Sequence, residues 1–206
     1  MAHRLDASYW DGRYRAGATG WDIGAANRGL VDAVVERVAP SARILIPGAG
    51  RAHEALALWR RGYRETTVLD WSAEAIAAVR RRVATADVGL SAAELDSRLV
   101  HADFFAHDAR YDVIVEQTFF CAIDPELRPE YVERAARLLA PAGRWIGVLF
   151  DREFPTPGPP FGGTRAAYER LFRERFVLEH LGPNERGIAP RSGSELFGVM
   201  RCRRGS

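Results

Sequence analysis

The chain has 206 residues, of which 47% are hydrophobic, and this is enough apolar material to bury the core of one domain. Its 29 basic and 27 acidic residues leave a formal net charge of only +2, and the basic residues form no dominant run, so the composition argues against a nucleic-acid partner. No stretch approaches the roughly 20 apolar residues of a membrane span, and the first residues lack the apolar core of a signal peptide.

The first 40 residues hold three aromatic side chains and several glycines ahead of a helical segment, GLVDAVVERV. Trp10, Tyr14 and Trp21 fit two roles equally well by spacing, because a helix stripe packed on the core and a cover over a ligand site use the same residue types. The composition of this segment resembles a lid more than a unit of the core.

From residue 42 onward, short apolar runs alternate with helical segments. The strand-like runs are RILIP, TTVLD, RLVHADFF, DVIVEQTFF, RWIGVLF, RFVLEHL and SELFGVMRC. The first five are continuously apolar, which is typical of parallel strands covered by helices on both faces, and the last two are short enough to pair as an antiparallel hairpin. The sequence therefore predicts an α/β, Rossmann-like fold with a mostly parallel seven-stranded sheet, helices on both faces and an antiparallel hairpin at one edge.

We expect this fold to form a single domain over residues 1–206, in which residues 1–40 are an N-terminal aromatic cap and residues 41–204 are the Rossmann-like core. Helix boundary signals support the pattern. Ser72 is a good N-cap for AEAIAAVRRRV, and Pro141-Ala142-Gly143 should stop the helix that ends at LLA.

The turn after the first strand carries Gly48-Ala49-Gly50, and glycines there let a nucleotide-like cofactor approach the backbone closely. The Gly-x-Gly signal alone is weak, but Asp70 ends the second strand 22 positions beyond Gly48, where an acid takes ribose hydroxyls. The alternative for Asp70 is a helix N-cap, which Ser72 makes less necessary. The spacing predicts a ribose-bearing cofactor.

The residues after this turn indicate which cofactor it is. A dinucleotide site favours a third glycine where this chain has His53, and the carboxylate of Glu54 would repel a pyrophosphate at the helix N-terminus. S-adenosylmethionine carries a ribose but no phosphate. The turn therefore favours S-adenosylmethionine over a nicotinamide dinucleotide.

Two further strand ends carry candidate site residues. Asp103 and Phe104 follow the third strand, where an acid can accept the adenine amino proton and a ring can cover the base, although a phenylalanine there also fits core packing. Glu116 and Gln117 end the fourth strand, where cofactor and acceptor should meet. No Asn/Asp-Pro-Pro-aromatic string follows them, which disfavours a nucleobase amine as the acceptor.

A proline- and glycine-rich stretch, DREFPTPGPPFGGT at residues 151–164, predicts a long loop of fixed shape. Such loops usually serve a site, so we expect this one to border an acceptor pocket with Phe161 pointing inward.

The two cysteines, Cys121 and Cys202, form neither a disulfide framework nor a metal-ligand pair. We expect a cytoplasmic protein in a reducing compartment, with no metal and no membrane or nucleic-acid partner.

Together these motifs resemble the thiopurine methyltransferase superfamily, and in particular its halide and thiol methyltransferase branch. The markers are W-x10-WD, IPGAGRAHEA, VLDWS, the DFF at residues 103–105, EQTFFCAIDPELR, LLAPAGRWIGVLF and GPPFGG. The resemblance implies a class I S-adenosylmethionine-dependent methyltransferase. It implies cofactor contacts from Trp10, Tyr14, Trp21, Gly48, Asp70, Asp103, Phe104 and Gln117. We also expect Gly50, Trp71 and Glu116 to contact the cofactor, Gln117 to be the candidate catalytic residue, and Trp21, Phe119, Phe150 and Phe161 to form the acceptor pocket.

The expected reaction is an in-line displacement that moves the methyl group to a small soft nucleophile and leaves S-adenosylhomocysteine. The aromatic cap would hold the cofactor's sulfonium cation. Phe150 lacks a hydroxyl and Gln117 carries no charge, which favours the sulfur of a small thiol or thioether as acceptor. A halide, thiocyanate or a thiopurine remains the alternative, and a nicotinamide-dependent oxidoreductase or a non-catalytic cofactor-binding protein is a more distant one. The sequence gives no oligomeric state.

Overall fold

The structure of the chain is a computed structural model, and it describes residues 5–203. Residues 1–4 and 204–206, which include Gly205-Ser206 and both ends of the expected domain, lie outside the described part. The strands, in chain order, are β1 Ile44–Pro47, β2 Thr66–Asp70, β3 Leu99–His101, β4 Tyr111–Gln117, β5 Leu139–Phe150, β6 Phe176–Pro183 and β7 Glu195–Cys202. The α-helices are α1 Ala7–Arg15, α2 Arg28–Val35, α3 His53–Trp59, α4 Ala73–Val83, α5 Ala92–Arg98, α6 Arg128–Leu138 and α7 Arg165–Phe172.

The strands form one sheet in the order β3-β2-β1-β4-β5-β7-β6. The first five pair in parallel, and β7 lies antiparallel between β5 and the edge strand β6. The predicted Rossmann-like fold, with a mostly parallel seven-stranded sheet and an antiparallel edge hairpin, is confirmed. Because the strand order reverses between β1 and β4, a crevice opens at their carboxyl ends, where ligands bind in open α/β sheets.

The continuous apolar runs of the strands are buried on both faces. In β1, Ile44 and Ile46 point into the core cluster on the side of α2, α3 and α4, whereas Leu45 points into the cluster on the side of α6 and α7. Val68 and Leu69 of β2 divide between the two clusters in the same way. The sheet is thus the central layer of three, as the run pattern predicts.

Ser72 caps α4 as predicted, with its hydroxyl accepting from the Ala75 amide at 3.1 Å. The predicted end of α6 is wrong by two residues, because the helix stops at Leu138 and the backbone is already extended at Leu139. Pro141-Ala142-Gly143 then lies inside β5 as a bulge, since pairing with β4 skips from Leu139 to Arg144. The strand, not the proline, therefore ends the helix.

The N-terminal segment divides into two structural parts. Helix α1 packs on α4 at the carboxyl edge of the sheet, whereas α2 buries Leu30, Val31 and Val34 in the core. The part that covers the sheet edge is therefore α1 and the turn that follows it. The division of the domain at residue 40 stays a prediction, and it places one core helix within the cap.

The longest helices between residues 5 and 203, α4 and α6, have 11 residues each. Within that range no helix combines the length and the apolar character that a membrane crossing requires. Nor do three or more His, Cys, Asp or Glu side chains of the described residues come together in a group that could hold a metal ion.

Candidate active site

A cavity of about 970 Å³ lies at the carboxyl ends of the parallel strands, covered by α1 and by the loop at residues 151–164. We call one part the glycine-turn end, which is lined by Trp10, Tyr14, Gly48, Asp70, Trp71, Asp103 and Phe104. We call the other the proline-loop end, which is lined by Phe119, Cys121, Phe150, Pro157–Phe161 and Arg191. Trp21 also lines the cavity and contacts residues of both ends.

Gly48 is required where the two ends meet. Its backbone has φ +53°, and a β-carbon there would lie 2.3 Å from Cδ2 of Phe119. Only glycine adopts this conformation cheaply and also admits the ring. The turn after β1 and the turn after β4 are thereby packed against each other, and the Phe119 ring forms a wall beside the glycine turn.

Asp70 ends β2 at the cavity with only 8% of its surface exposed. One carboxylate oxygen accepts from the Gly50 amide at 3.0 Å, and the other accepts from the Ser72 amide at 2.8 Å. Burial raises the pKa of this carboxyl to about 6, while the Ser72 and Gly50 amides act in the opposite direction. Each oxygen has a second lone pair, so the group can accept two further hydrogen bonds from a ligand in the cavity.

Three aromatic side chains of the N-terminal segment cover the glycine-turn end. The Trp21 ring makes edge contacts with Trp10 at 5.4 Å and with Tyr14 at 5.7 Å between ring centroids. Burial and the nearby Asp70 carboxylate raise the pKa of Tyr14, so its hydroxyl stays protonated and neutral. The cluster presents π faces of the kind that hold a desolvated cation, and the Arg13 guanidinium already lies 5.4 Å from the Trp21 ring centroid.

Two carboxylates fix the N-terminal segment to the core. Asp11 accepts from the Ser72 hydroxyl at 2.6 Å, and Asp22 pairs with Arg51 at 3.0 Å and with His53 at 2.7 Å. Hydrogen bonds from the Gly24 amide and the His53 ring, together with the Arg51 charge, hold the pKa of Asp22 below its usual value despite burial. The aromatic rings are therefore held over the cavity at both ends of their segment.

Asp103, Phe104 and Trp71 form the remaining wall of the glycine-turn end. The Asp103 carboxylate accepts from the Phe105 amide at 3.0 Å and lines the cavity. Phe104 is 2% exposed and stacks on Tyr131 at 5.0 Å, so most of this ring is core and only one part borders the cavity. Trp71 is 37% exposed at the rim, and Phe105 lines the cavity as well.

The structure corrects the expectation for Glu116, whose side chain does not line the cavity. Its Oε1 accepts from the amides of Phe119 at 2.8 Å and Phe120 at 2.9 Å, and its Oε2 accepts from the Tyr131 hydroxyl at 2.9 Å. Burial raises the pKa of this fully buried carboxyl to about 7. Glu116 therefore supports the turn after β4 from beneath instead of facing a ligand.

Gln117 and Gly50 also lie outside the cavity lining. The Gln117 side-chain oxygen accepts from Nδ2 of the Asn27 side chain at 3.4 Å, because Asn27 at the start of α2 packs beside the end of β4. The Gly50 amide points at Asp70 instead of a ligand. A direct catalytic role for the Gln117 side chain thus has no support from its position, whereas the other predicted site residues are brought together around one cavity.

Most side chains that line the proline-loop end are apolar, and the loop is tightly packed. Phe119, Phe150 and Phe161 line this end. The loop doubles back on itself through a bridge between Arg152 and Gly163, and a β-carbon on Gly162 would lie 1.9 Å from the Arg152 carbonyl oxygen. Glycine at 162 therefore permits the contact that gives this loop its fixed shape.

Sequence reasoning missed Arg191, the charged group of the proline-loop end. Its side chain is 14% exposed, donates to the Trp21 carbonyl at 3.1 Å, pairs with Glu195 at 3.4 Å and lies 5.4 Å from the Phe150 ring centroid. It stands in a short 3-10 turn between β6 and β7, far from every motif, and no local signal marks it. Only the tertiary fold brings it to the cavity.

Cys121 lies beside this cation. Its thiol donates to the Thr118 carbonyl at 3.2 Å. Burial raises the pKa of the thiol to about 12, and the Glu116 carboxylate adds to this, while Arg191 and Arg128 act in the opposite direction. The Cys121 thiol is therefore neutral, because the effect of burial exceeds that of the Arg191 guanidinium.

The glycine-turn end fits S-adenosylmethionine. It offers a carboxylate with free lone pairs, a close backbone approach at Gly48 and aromatic faces for a cation. The carboxylate of Glu54 in the first turn of α3 is buried and accepts from the Asn27 amide at 2.8 Å. An acidic side chain therefore occupies the helix N-terminus at which a dinucleotide site would bind its pyrophosphate.

Comparison with known proteins agrees with this geometry. Residues 5–203 match the family described as Thiopurine S-methyltransferase (TPMT). Probable thiol methyltransferase 2 of Arabidopsis thaliana is 31% identical over 205 residues, covering 96% of this chain and 88% of the relative. Thiocyanate methyltransferase 1 of Brassica oleracea is 30% identical over 201 residues, covering 96% of this chain and 86% of the relative.

A solved structure shares the fold. The 1,6-didemethyltoxoflavin-N1-methyltransferase of Burkholderia thailandensis, solved with 1,6-didemethyltoxoflavin and S-adenosylhomocysteine bound, superimposes with a TM-score of 0.74 at 20% identity. The match covers 96% of this chain and 87% of that one.

Proposed function

Because the chain belongs to the thiopurine S-methyltransferase family and is an S-adenosylmethionine-dependent methyltransferase, we propose that its acceptor is the sulfur of a small organic thiol. The observation that carries the proposal is the Arg191 guanidinium among the aromatic and proline side chains of the proline-loop end. A thiolate combines an anionic sulfur with an apolar body, and this end of the cavity offers a partner for each part.

Residues of the glycine-turn end would hold the cofactor. Asp70 would accept the ribose hydroxyls, Asp103 would accept the adenine amino proton, and Trp10, Tyr14 and Trp21 would face the sulfonium. When bound, S-adenosylmethionine supplies the methyl group as an electrophilic carbon. With the cofactor bound, the aromatic cap would exclude water from this region, which would strengthen the electrostatic interactions inside it.

Arg191 would stabilise the acceptor in its thiolate form. Cys121 indicates the effect, because its buried thiol lies within the field of the same guanidinium, which opposes the rise in pKa that burial causes. A thiol that enters from solvent and comes closer to Arg191 would be ionised more easily. Since no histidine among the described residues lines the cavity, a preformed thiolate is also the form that needs no general base there.

A halide or thiocyanate is the second candidate, and Arg191 favours it as well, because the guanidinium supplies the positive charge that Phe150 and Gln117 lack. The apolar wall decides between the two candidates. Phe150, Phe161 and the prolines would bury an organic group, whereas a halide ion gains little from apolar contact and loses hydration. A neutral thioether is less favoured than the sequence alone indicates, since its sulfur brings no negative charge to the Arg191 guanidinium, which pairs with Glu195 at 3.4 Å.

The test is a panel assay of the purified protein with S-adenosylmethionine, in which S-adenosylhomocysteine formation is measured. The acceptors are alkyl and aryl thiols, a thioether, hydrosulfide, iodide, thiocyanate and a thiopurine. Arg191→Gln should raise the KM of the thiol about tenfold, because it removes a charge-assisted interaction, and should leave the thioether unchanged. Arg186→Gln, at an exposed arginine that pairs with Glu36, is the matched control. Equal losses for thiol and thioether would contradict the role of Arg191.

A further inference from the structure

The proline-loop end depends on contact between two segments that are about 40 residues apart in the chain, and we call this contact the seam. The turn after β4 carries Cys121 and the loop carries Phe161, and both line the cavity. The Phe161 amide donates to the Cys121 carbonyl at 2.7 Å. This single backbone hydrogen bond joins the loop to the turn on the cavity side.

Arg128, the first residue of α6, lies on the other side of the same seam. Its two terminal nitrogens donate to the carbonyls of Phe161 at 3.2 Å and Gly162 at 3.0 Å. Its guanidinium also lies 4.8 Å from the ring centroid of Phe120. The side chain thus contacts the loop with one edge and the turn after β4 with its face.

The bonding of Arg128 differs from that of an arginine in a surface ion pair. No carboxylate of residues 5–203 forms a salt bridge with it, and its Nε is buried with no hydrogen-bond partner. Burial lowers the pKa of Arg128, which reflects the cost of placing the charge there. The planar fork of a guanidinium reaches two successive carbonyls at once, and a lysine ammonium lacks that geometry.

We propose that Arg128 is a positioning residue that clamps the proline loop onto the turn after β4 and thereby sets the shape of the acceptor pocket. It does not itself line the cavity, so it acts through Phe161 and Cys121. The part of this inference that concerns acceptor binding rests on the proposed function. The part that concerns contact between the loop and the turn does not.

The experiment compares Arg128→Met and Arg128→Lys with Arg170→Met, which changes an exposed arginine of α7. The first measurement is the rate at which N-ethylmaleimide labels Cys121, with Cys202 as the internal reference, read by mass spectrometry of the two peptides. Both thiols are buried, and Cys202 lies far along the chain at the end of β7. The second measurement is the KM of the thiol acceptor beside the Kd of the cofactor.

If Arg128 is a clamp, Arg128→Met speeds labelling of Cys121 about tenfold and raises the acceptor KM about tenfold, as expected for losing hydrogen bonds from a charged group. Cys202 labelling and the cofactor Kd stay within about twofold of the original protein, because neither site touches the seam. Arg128→Lys gives an intermediate effect, and it serves as the main variant if Arg128→Met does not fold.

Unchanged Cys121 labelling would overturn the clamp, and so would equal acceleration at Cys121 and Cys202, which indicates general destabilisation. An acceptor KM that moves no more than the cofactor Kd would overturn the positioning role. If the original protein transfers no methyl group to any thiol, the proposed function fails while the labelling result still decides the clamp.

Discussion

The two ends of the cavity are built in different ways. At the glycine-turn end, Gly48, Asp70 and Asp103 each stand where one of three neighbouring strands ends, and backbone amides fix the two acids. At the proline-loop end, Phe119, Phe161 and Arg191 come from segments far apart in the chain and meet only through packing. The first end is positioned by the sheet itself, whereas the second depends on how loops pack, and the two ends touch at Gly48–Phe119 and through Trp21.

The largest expected effect tests whether the Glu116 carboxyl group stabilises the turn after β4, which carries part of the proline-loop end. Glu116→Ala removes the acceptor for two buried amides and the Tyr131 hydroxyl, so the free energy of unfolding should fall by about 3 kcal/mol or more. Glu116→Gln keeps a carbonyl oxygen for both amides, so its free energy of unfolding should fall by less. Urea unfolding of both variants measures the difference, and a loss below about 1 kcal/mol for Glu116→Ala would show that the turn does not need this carboxylate.

The same residue gives a pH dependence. Its pKa is about 7 in the folded protein against an ordinary 4.5, so the folded protein holds this proton more tightly than the unfolded chain does. The stability from that proton is full below pH 4.5 and is lost as the pH rises to about 7. Relative to Glu116→Gln, the original protein should therefore become less stable between these values and level off above them. A difference that stays flat over this range would contradict the buried, protonated state.

Asp70→Ala should affect the opposite end. Losing the carboxylate that would bind the ribose should weaken cofactor binding by about 1.5 to 3 kcal/mol, measured by calorimetry, with little change in the acceptor KM. Cofactor affinity of the original protein should also fall as the pH drops below about 6, because protonation removes an acceptor from Asp70. Asp70→Asn is the control, and its affinity should not share that pH dependence. Unchanged affinity in Asp70→Ala would refute the ribose role.

Phe161→Ala tests whether the proline loop contributes to acceptor binding alone. Removing an apolar wall should cost the acceptor about 1.5 kcal/mol, which appears as a KM raised roughly tenfold with cofactor affinity unchanged. Phe154→Ala, in the same loop but outside the large cavity, is the matched control. A fall in thermal stability with no change in the acceptor KM would mean that Phe161 serves packing alone.

The smallest expected effect concerns the aromatic cap. A cation–π contact favours the sulfonium of S-adenosylmethionine and not the neutral sulfur of S-adenosylhomocysteine, so Trp21→Leu should weaken the first by about 1 kcal/mol more than the second. Binding of both compounds to the same variant gives this difference directly. Equal losses would indicate that Trp21 contributes packing and water exclusion only.

The glycine-turn end could be predicted from sequence because its residues stand at strand ends, and strand spacing in a βαβ unit is regular. The fold followed from the same alternation. Glu116 and Gln117 show the limit of that reasoning, because a place at a strand end does not say where the side chain points. Glu116 lies beneath the turn after β4 and Gln117 contacts Asn27, so neither side chain lines the cavity. Arg191 could not be predicted, since its place depends on how the β6–β7 connection folds over β5.

The measurement that tests the central claim most directly is a competition between iodide and a small organic thiol at equal concentration, with both methylated products quantified. Arg191 supplies the charge for either anion, but only the thiol has an apolar group for Phe150 and Phe161 to bury. The account predicts that the S-methyl product predominates, with the higher kcat/KM for the thiol. A clear excess of methyl iodide would contradict the proposed acceptor.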